Sequence, residues 1–375
     1  MWVYSERKKV RICDKIKFVK EIKNEDIGYN EYFESNRKKL KLDEFSVARV
    51  IAEYKGAYKI KNSSGEYFAK VTGKKIFDAS SREDYPAVGD WVSIKEQDNE
   101  WAVITEILPK QTLIKRKYNN KNGIQIIATN IDIAFIIESI DRDFNLNRFE
   151  RYFAIANDGG VQSTIILNKI DLISKDELNL KLAQIKNRFK NVDIILTSAL
   201  TNVGLEELRT YILKGKTYCF LGSSGVGKSS LINKLLEENA IETNDISFHT
   251  NRGKHTTTGR EMYFLKNGGI VIDNPGMREV GMTNTNDGVD NVFDEITKLA
   301  MNCKFVDCSH TSEPECSVLF ALKSGNLNEG KYSNYINLKK EAEYYEMTEV
   351  ERNEKDYRFG KFIKKAKKDI EKYKS

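Results

Sequence analysis

The stretch GSSGVGKSS, Gly222 to Ser230, constrains the fold of this chain more than any other segment. It fits G-x-x-x-x-G-K-[ST], a pattern that needs a buried strand before it and a helix after it, because the amides that wrap phosphate belong to a helix N-terminus. Both flanks are present: TYCFL precedes it, and Leu231, Ile232, Leu235 and Leu236 follow at helical spacing. Gly222, Gly225 and Gly227 let the main chain close around phosphate, and the amides of Ser223, Ser224 and Val226 through Ser230 point inward. Lys228 reaches the terminal phosphates and Ser229 holds magnesium. A sheet covered by helices is required.

The surrounding pattern agrees. From Ile131 onward, short apolar runs (IDIAFIIES, STIILNKID, DIILTSA, GIVIDNPG) alternate with amphipathic segments such as LNRFERYFAIAN and DELNLKLAQIKNRF. That alternation predicts a mostly parallel sheet with both faces covered. Upstream, from Phe45 to about Leu113, the runs SVARVIAEY, AYKIKN, GEYFAKVTG, GDWVSIKE and EWAVITEIL are β-rich and broken by SSG, QDN and the turn Pro86 to Gly89. Five strands in so short a span predict a small antiparallel barrel of the oligonucleotide-binding (OB) type, with a purely structural barrel as the alternative.

Further motifs define the ligand. Asn168, Lys169, Ile170 and Asp171 (NKID) follow the strand STIIL, and an aspartate so placed accepts hydrogen bonds from the ring NH and amine of guanine, which adenine does not offer. TSAL follows the next strand and supplies Ser198, Ala199 and Leu200, with the Ala199 amide toward the guanine oxygen. GTP is favoured over ATP. Asp273 in DNPG is placed to meet magnesium through a water, and Gly276 to turn its amide to the γ-phosphate. In RGKHTTTGR the favoured magnesium ligand is Thr257, with Thr256 and Thr258 as rivals. Met277 stands where many GTPases place a water-orienting glutamine, so the candidate catalytic residue is His255; a phosphate- or RNA-binding histidine is the competing role. The order is also informative: the guanine motif comes before the phosphate loop, the reverse of ordinary small GTPases. The central domain is therefore expected to be a circularly permuted P-loop GTPase.

Cys303, Cys308, His310 and Cys316 lie in CKFVDCSHTSEPEC. Three thiolates and an imidazole complete a closed tetrahedron, which predicts one structural zinc and no open catalytic position. The other two cysteines, Cys13 and Cys219, are isolated. Charged helices follow to the C-terminus. The expected architecture is an extension (1–44), an OB-fold RNA-binding barrel (45–116), an α/β circularly permuted GTPase domain (117–296) and a zinc-binding α-helical domain (297–375).

At 375 residues, with 61 basic residues offset by 55 acidic ones, overall charge does not identify a nucleic-acid binder. The basic N-terminus lacks the apolar segment of a secretory signal, and no apolar run approaches a membrane span, so a cytoplasmic chain that engages no membrane is expected.

The order NKID, TSAL, GSSGVGKSS, HTTT, DNPG, with a β-barrel before and Cys-x4-Cys-x-His-x5-Cys after, closely resembles the ribosome small-subunit-dependent GTPase A family (RsgA, also called YjeQ). The resemblance covers about Phe45 to the C-terminal helices. It implies a late assembly factor of the small ribosomal subunit that cycles between GTP and GDP, with subunit-stimulated hydrolysis driving release and with the barrel and zinc domain contacting ribosomal RNA. The alternative is a GTP-gated RNA-binding module whose hydrolysis is incidental. Guanine recognition carries over to Asn168–Asp171, phosphate binding to Gly222–Ser230, zinc to Cys303, Cys308, His310 and Cys316, and the family's proposed catalytic histidine to His255. A monomer is expected. Two departures stand out: nothing carries over to residues 1–44, and Glu315 occupies a turn position that is usually glycine.

Overall fold

The structure, a computed structural model, describes residues 22–117, 124–141, 144–237, 260–274 and 286–374. It opens with a 3-10 turn, Asn24–Ile27, and α1 (Glu31–Lys39), capped by the Asn30 side chain accepting from the Tyr32 amide at 3.0 Å. Then come β1 (Ser46–Tyr54), β2 (Ala57–Lys61), β3 (Glu66–Val71), α2 (Gly73–Asp78), β4 (Trp91–Glu96) and β5 (Trp101–Ile107). β1 pairs antiparallel with both β2 and β4, β2 with β3, and β4 with β5, while β3 and β5 run parallel. The ring closes. Along β2 and β3, buried and more open residues alternate, and Ala48, Val50, Ile60, Ala69, Val92, Ile94, Ala102 and Ile104 fill the barrel. This is the expected five-stranded OB-type barrel.

The segment expected as an extension packs against this barrel. Ile27 and Phe33 are buried with Trp91 and Leu108, and the Tyr29 ring meets Trp91 edge-on at 4.7 Å. Burying the Phe33 side chain alone contributes about 1.5–3 kcal/mol. Buried Arg49 of β1 donates to the carbonyls of Ile27 (2.7 Å), Gly89 (3.3 Å) and Asn130 (2.9 Å). One guanidinium thus joins the N-terminal turn, a barrel loop and the next domain, and its burial brings its pKa down to about 10.

β6 (Leu113–Lys117) and β7 (Ile124–Thr129) form an antiparallel ribbon that straddles the boundary expected at residue 116. The α/β region follows: β8 (Ile133–Ser139), α3 (Leu146–Asp158), β9 (Gln162–Asn168), α4 (Lys175–Arg188), β10 (Ile194–Leu196), α5 (Leu205–Tyr211), β11 (Thr217–Leu221), α6 (Lys228–Leu236), β12 (Glu261–Phe264) and β13 (Ile270–Asp273). The strand order is β10-β9-β8-β11-β13-β12, parallel except for β12. Buried residues run unbroken through most of β8, β9 and β11, as a sheet covered on both faces requires. β12 also meets β1, so barrel and α/β sheet are continuous.

The C-terminal region is helical: α7 (Asn286–Val292), α8 (Asp294–Ala300), α9 (Ser317–Lys323), α10 (Glu329–Glu346) and α11 (Glu349–Lys374). It is fastened to α3. Arg151 grips Glu341 of α10 through two bonds (2.7 and 2.6 Å), while buried Glu150 accepts from Arg188 of α4 and from Asn334 of α10. No helix among the described residues is long and apolar enough to cross a membrane.

Candidate nucleotide site and metal centre

Parallel register gathers the nucleotide motifs. Ser139 is opposite Asn168, Leu167 opposite Leu196, Leu221 opposite Ile136, and Cys219 opposite Ile272. NKID, TSAL, the phosphate loop and Asp273 therefore all leave the sheet at its carboxyl edge, where open α/β sheets bind ligands. Motif order along the chain is irrelevant to this meeting; strand order decides it.

Asn168 joins two of these segments. It is buried, its Nδ2 donates to the Val226 carbonyl at 2.8 Å, and its Oδ1 accepts from Thr197 Oγ1 at 3.1 Å. One amide side chain thereby fastens the guanine box to the phosphate loop and to TSAL. The fit depends on Gly227: a Cβ there would lie 2.3 Å from Asn168 Nδ2, and its φ of 98° is one that side chains disfavour. Gly222 is equally tight, with a Cβ 2.3 Å from the Ile137 carbonyl. Lys169 adopts a left-handed conformation and lies 3.6 Å from Asp141. Ile170 and Asp171 fall in a 3-10 turn, with Asp171 exposed. Thr197 and Ser198 are buried, Ala199 is half-buried and Leu200 is exposed.

Lys228 opens α6 and is buried, its Nζ donating to the carbonyls of Gly222 (2.8 Å) and Ser223 (2.7 Å). Burial brings its pKa down to about 8, against the opposing pull of Asp273 and Glu138. Asp273 is buried at the end of β13, its Oδ1 has no hydrogen-bond partner among the described residues, and burial raises its pKa against the pull of Lys228. A desolvated carboxylate oxygen facing a phosphate-loop lysine fits a hydrated divalent cation. His255, Thr257 and Gly276 lie outside the described residues.

Three neighbours escaped the sequence reading. Glu138 is fully buried at the end of β8 with Arg148 at 3.9 Å, the Tyr152 hydroxyl of α3 lies 3.4 Å from Ser223 Oγ, and Asp141 faces Lys169. A carboxylate at the end of an otherwise apolar strand run was the available signal for Glu138.

The four metal candidates come together, all ligand atoms lying within 4.8 Å of one another. Cys303 Sγ is 3.8 Å from Cys316 Sγ, and His310 Nδ1 is 3.6 Å from Cys303 Sγ and 3.5 Å from Cys316 Sγ. A tetrahedral ion with metal–sulfur bonds of ~2.3 Å and a metal–nitrogen bond of ~2.0 Å would set edges of ~3.8 and ~3.5 Å. The donor set can hold a metal. Cys316 also caps α9, its Sγ accepting from the Leu319 amide. Burial lowers the pKa of His310, keeping the neutral imidazole that binds metal, and Tyr332 fixes its carbonyl at 2.7 Å. Glu315 takes the glycine-like position at φ 58°.

Residues 107–283 match the RsgA GTPase family model. Small ribosomal subunit biogenesis GTPase RsgA 2 of Lactiplantibacillus plantarum is 41% identical over 80% of this chain and 84% of its own length. This chain belongs to the RsgA family. Small ribosomal subunit biogenesis GTPase RsgA of Leptospira interrogans is 38% identical over 88% of this chain and 92% of its own length. Among solved structures, YjeQ from Thermotoga maritima matches with a TM-score of 0.58 at 24% identity, covering 78% of this chain and 96% of that one. YloQ, a circularly permuted GTPase, matches with a TM-score of 0.57 at 21% identity, over 80% of this chain and 95% of that one. These two likenesses show a shared fold over about four-fifths of this chain.

Proposed function

We propose that this chain is a GTP hydrolase of small-subunit assembly that binds the small ribosomal subunit and its RNA in the GTP form. It acts late in maturation and leaves after hydrolysis stimulated on the subunit. The observation that carries the reading is the Asn168 clasp, which fixes a guanine-type box against a phosphate loop despite their permuted order.

In this scheme Asp171 accepts from the guanine ring, the Ala199 amide meets the guanine oxygen, and Lys228 exchanges its two loop carbonyls for phosphate oxygens. Ser229 and Thr257 would hold magnesium, with Asp273 assisting through a water, and the ion would supply charge neutralisation at the phosphates. His255 orients the attacking water. Cys303, Cys308, His310 and Cys316 would hold a zinc ion, which would supply a structural cross-link. The work takes place in the cytoplasm, with a monomer as the active unit.

The test is GTP turnover by the full chain alone, with isolated small subunits and with isolated large subunits. Strong acceleration by small subunits only is the expected result; equal turnover in all three overturns the proposal. Competition of labelled GTP by excess ATP checks the base assignment independently.

A further inference from the structure

The outer face of the barrel carries three aromatic rings where outward strand positions are ordinarily polar. Tyr54 ends β1, Phe68 lies within β3 and Trp101 opens β5, and they are 43%, 43% and 37% exposed. Phe68 and Trp101 are direct partners across the parallel β3–β5 ladder, their ring centroids 5.7 Å apart. Tyr54 lies 6.3 Å on the other side of Phe68. The rings make one row.

Cations flank that row. Lys70 Nζ sits 5.5 Å over the Trp101 ring, and Lys59, paired with Phe68 across β2–β3, is held by Glu66 at 2.7 Å. Single exposed apolar residues need no explanation, whereas a contiguous row bordered by lysines matches what unpaired nucleic acid requires: π-faces for bases and positive charge for phosphates. The spacings exceed the ~3.4 Å rise per nucleotide of a helical strand, so the row suits splayed bases, one per ring. Barrels of this topology offer that face to oligonucleotides.

We propose that Tyr54, Phe68 and Trp101 form a stacking platform for consecutive unpaired RNA bases, with Lys59 and Lys70 directed to the backbone phosphates. This deepens the RNA-binding reading above and rests on it. Phe68 is the central position, and none of the three rings belongs to the buried cluster that fills the barrel, so their replacement spares its core.

The test uses the full chain, a fluorescently labelled unstructured oligouridylate and a duplex of equal length. Phe68→Ala and Trp101→Ala should each weaken single-strand binding roughly five- to a hundred-fold. Phe68→Leu should weaken it as much as alanine and Phe68→Tyr should restore it, because leucine keeps the apolar contact and loses the flat face. Tryptophan emission should be quenched by the single strand in the parent and not in Trp101→Phe. Leucine binding like the parent, or duplex preference without quenching, overturns the proposal. So does normal oligonucleotide binding by variants that lose subunit association, which would assign the row to a protein. Parent turnover with small subunits, measured alongside, separates the two readings. Loss of stimulation there sinks the proposed function, whereas full stimulation with unaltered oligonucleotide binding in the variants sinks this inference alone.

Discussion

The nucleotide site and the metal centre each gather several groups at a point, by opposite means. Segments between Asn168 and Asp273 meet because parallel ladders align their strand ends, and Asn168 then locks two of the loops together. The metal cluster draws all four ligands from Cys303 to Cys316, a stretch with no strand, where His310 and Glu315 both hold left-handed backbone. A site aligned by ladders keeps its geometry when one side chain is removed. The 303–316 loop is held by local bonds instead, Glu313 accepting from the amides of Ser309, Thr311 and Ser312 and Tyr332 donating to the His310 carbonyl, and a bound ion would add a cross-link among the four ligands.

The sharpest way to break that comparison is to strip any metal that the four ligands hold. Chelation, or Cys308→Ser, should abolish an interaction worth about 10–16 kcal/mol in small motifs. Proteolysis should then open the 303–316 segment while labelled GTP still binds; simultaneous loss of nucleotide binding would show that the two sites are not independent. Asp171→Asn comes next: it should cut selectivity for GTP over ATP by about four to five orders of magnitude in competition binding. Its unfolding free energy should stay within about 0.5 kcal/mol of the parent's, since the side chain is exposed. Asn168→Ala inverts that profile, stripping two buried hydrogen bonds at a cost of about 2–4 kcal/mol in urea denaturation. The smallest effect belongs to Glu315→Gly, which relieves the φ of 58° and should slow metal loss to a chelator, with a net gain of about 0.5 kcal/mol.

Legibility followed the same division. The phosphate loop, the guanine box and the cysteine cluster could be read because each is a contiguous pattern whose residue types leave little choice of chemistry. The barrel strands could be read from alternation, as in β3, where Tyr67 and Ala69 turn inward and Phe68 and Lys70 outward. Long-range partners could not. Nothing local marks Arg49 as the buried link among Ile27, Gly89 and Asn130, or Tyr152 as the neighbour of Ser223, since those contacts arise only after distant elements dock. β7 was hidden for a related reason: IQIIAT is a short apolar run beside a polar linker, and its pairing with β6 is a property of the ribbon. The charged stretch before Phe45 reads as an extension packed on or leading into the barrel, but the two side chains that bury themselves, Ile27 and Phe33, are not marked in it, because charged residues surround them.

Glu261 is opposite Asp273 on one side and opposite Ala52 of the barrel on the other. Strand neighbours lie ~4.8 Å apart, so two rungs, about 10 Å, separate the carboxylate beside the phosphate loop from the first barrel strand. The barrel is thus the next-door neighbour of the hydrolytic centre rather than an appendage on a leash. A shift of Glu261 at that seam would be felt in both rooms at once, by a route that bypasses the helices at the far end of the molecule.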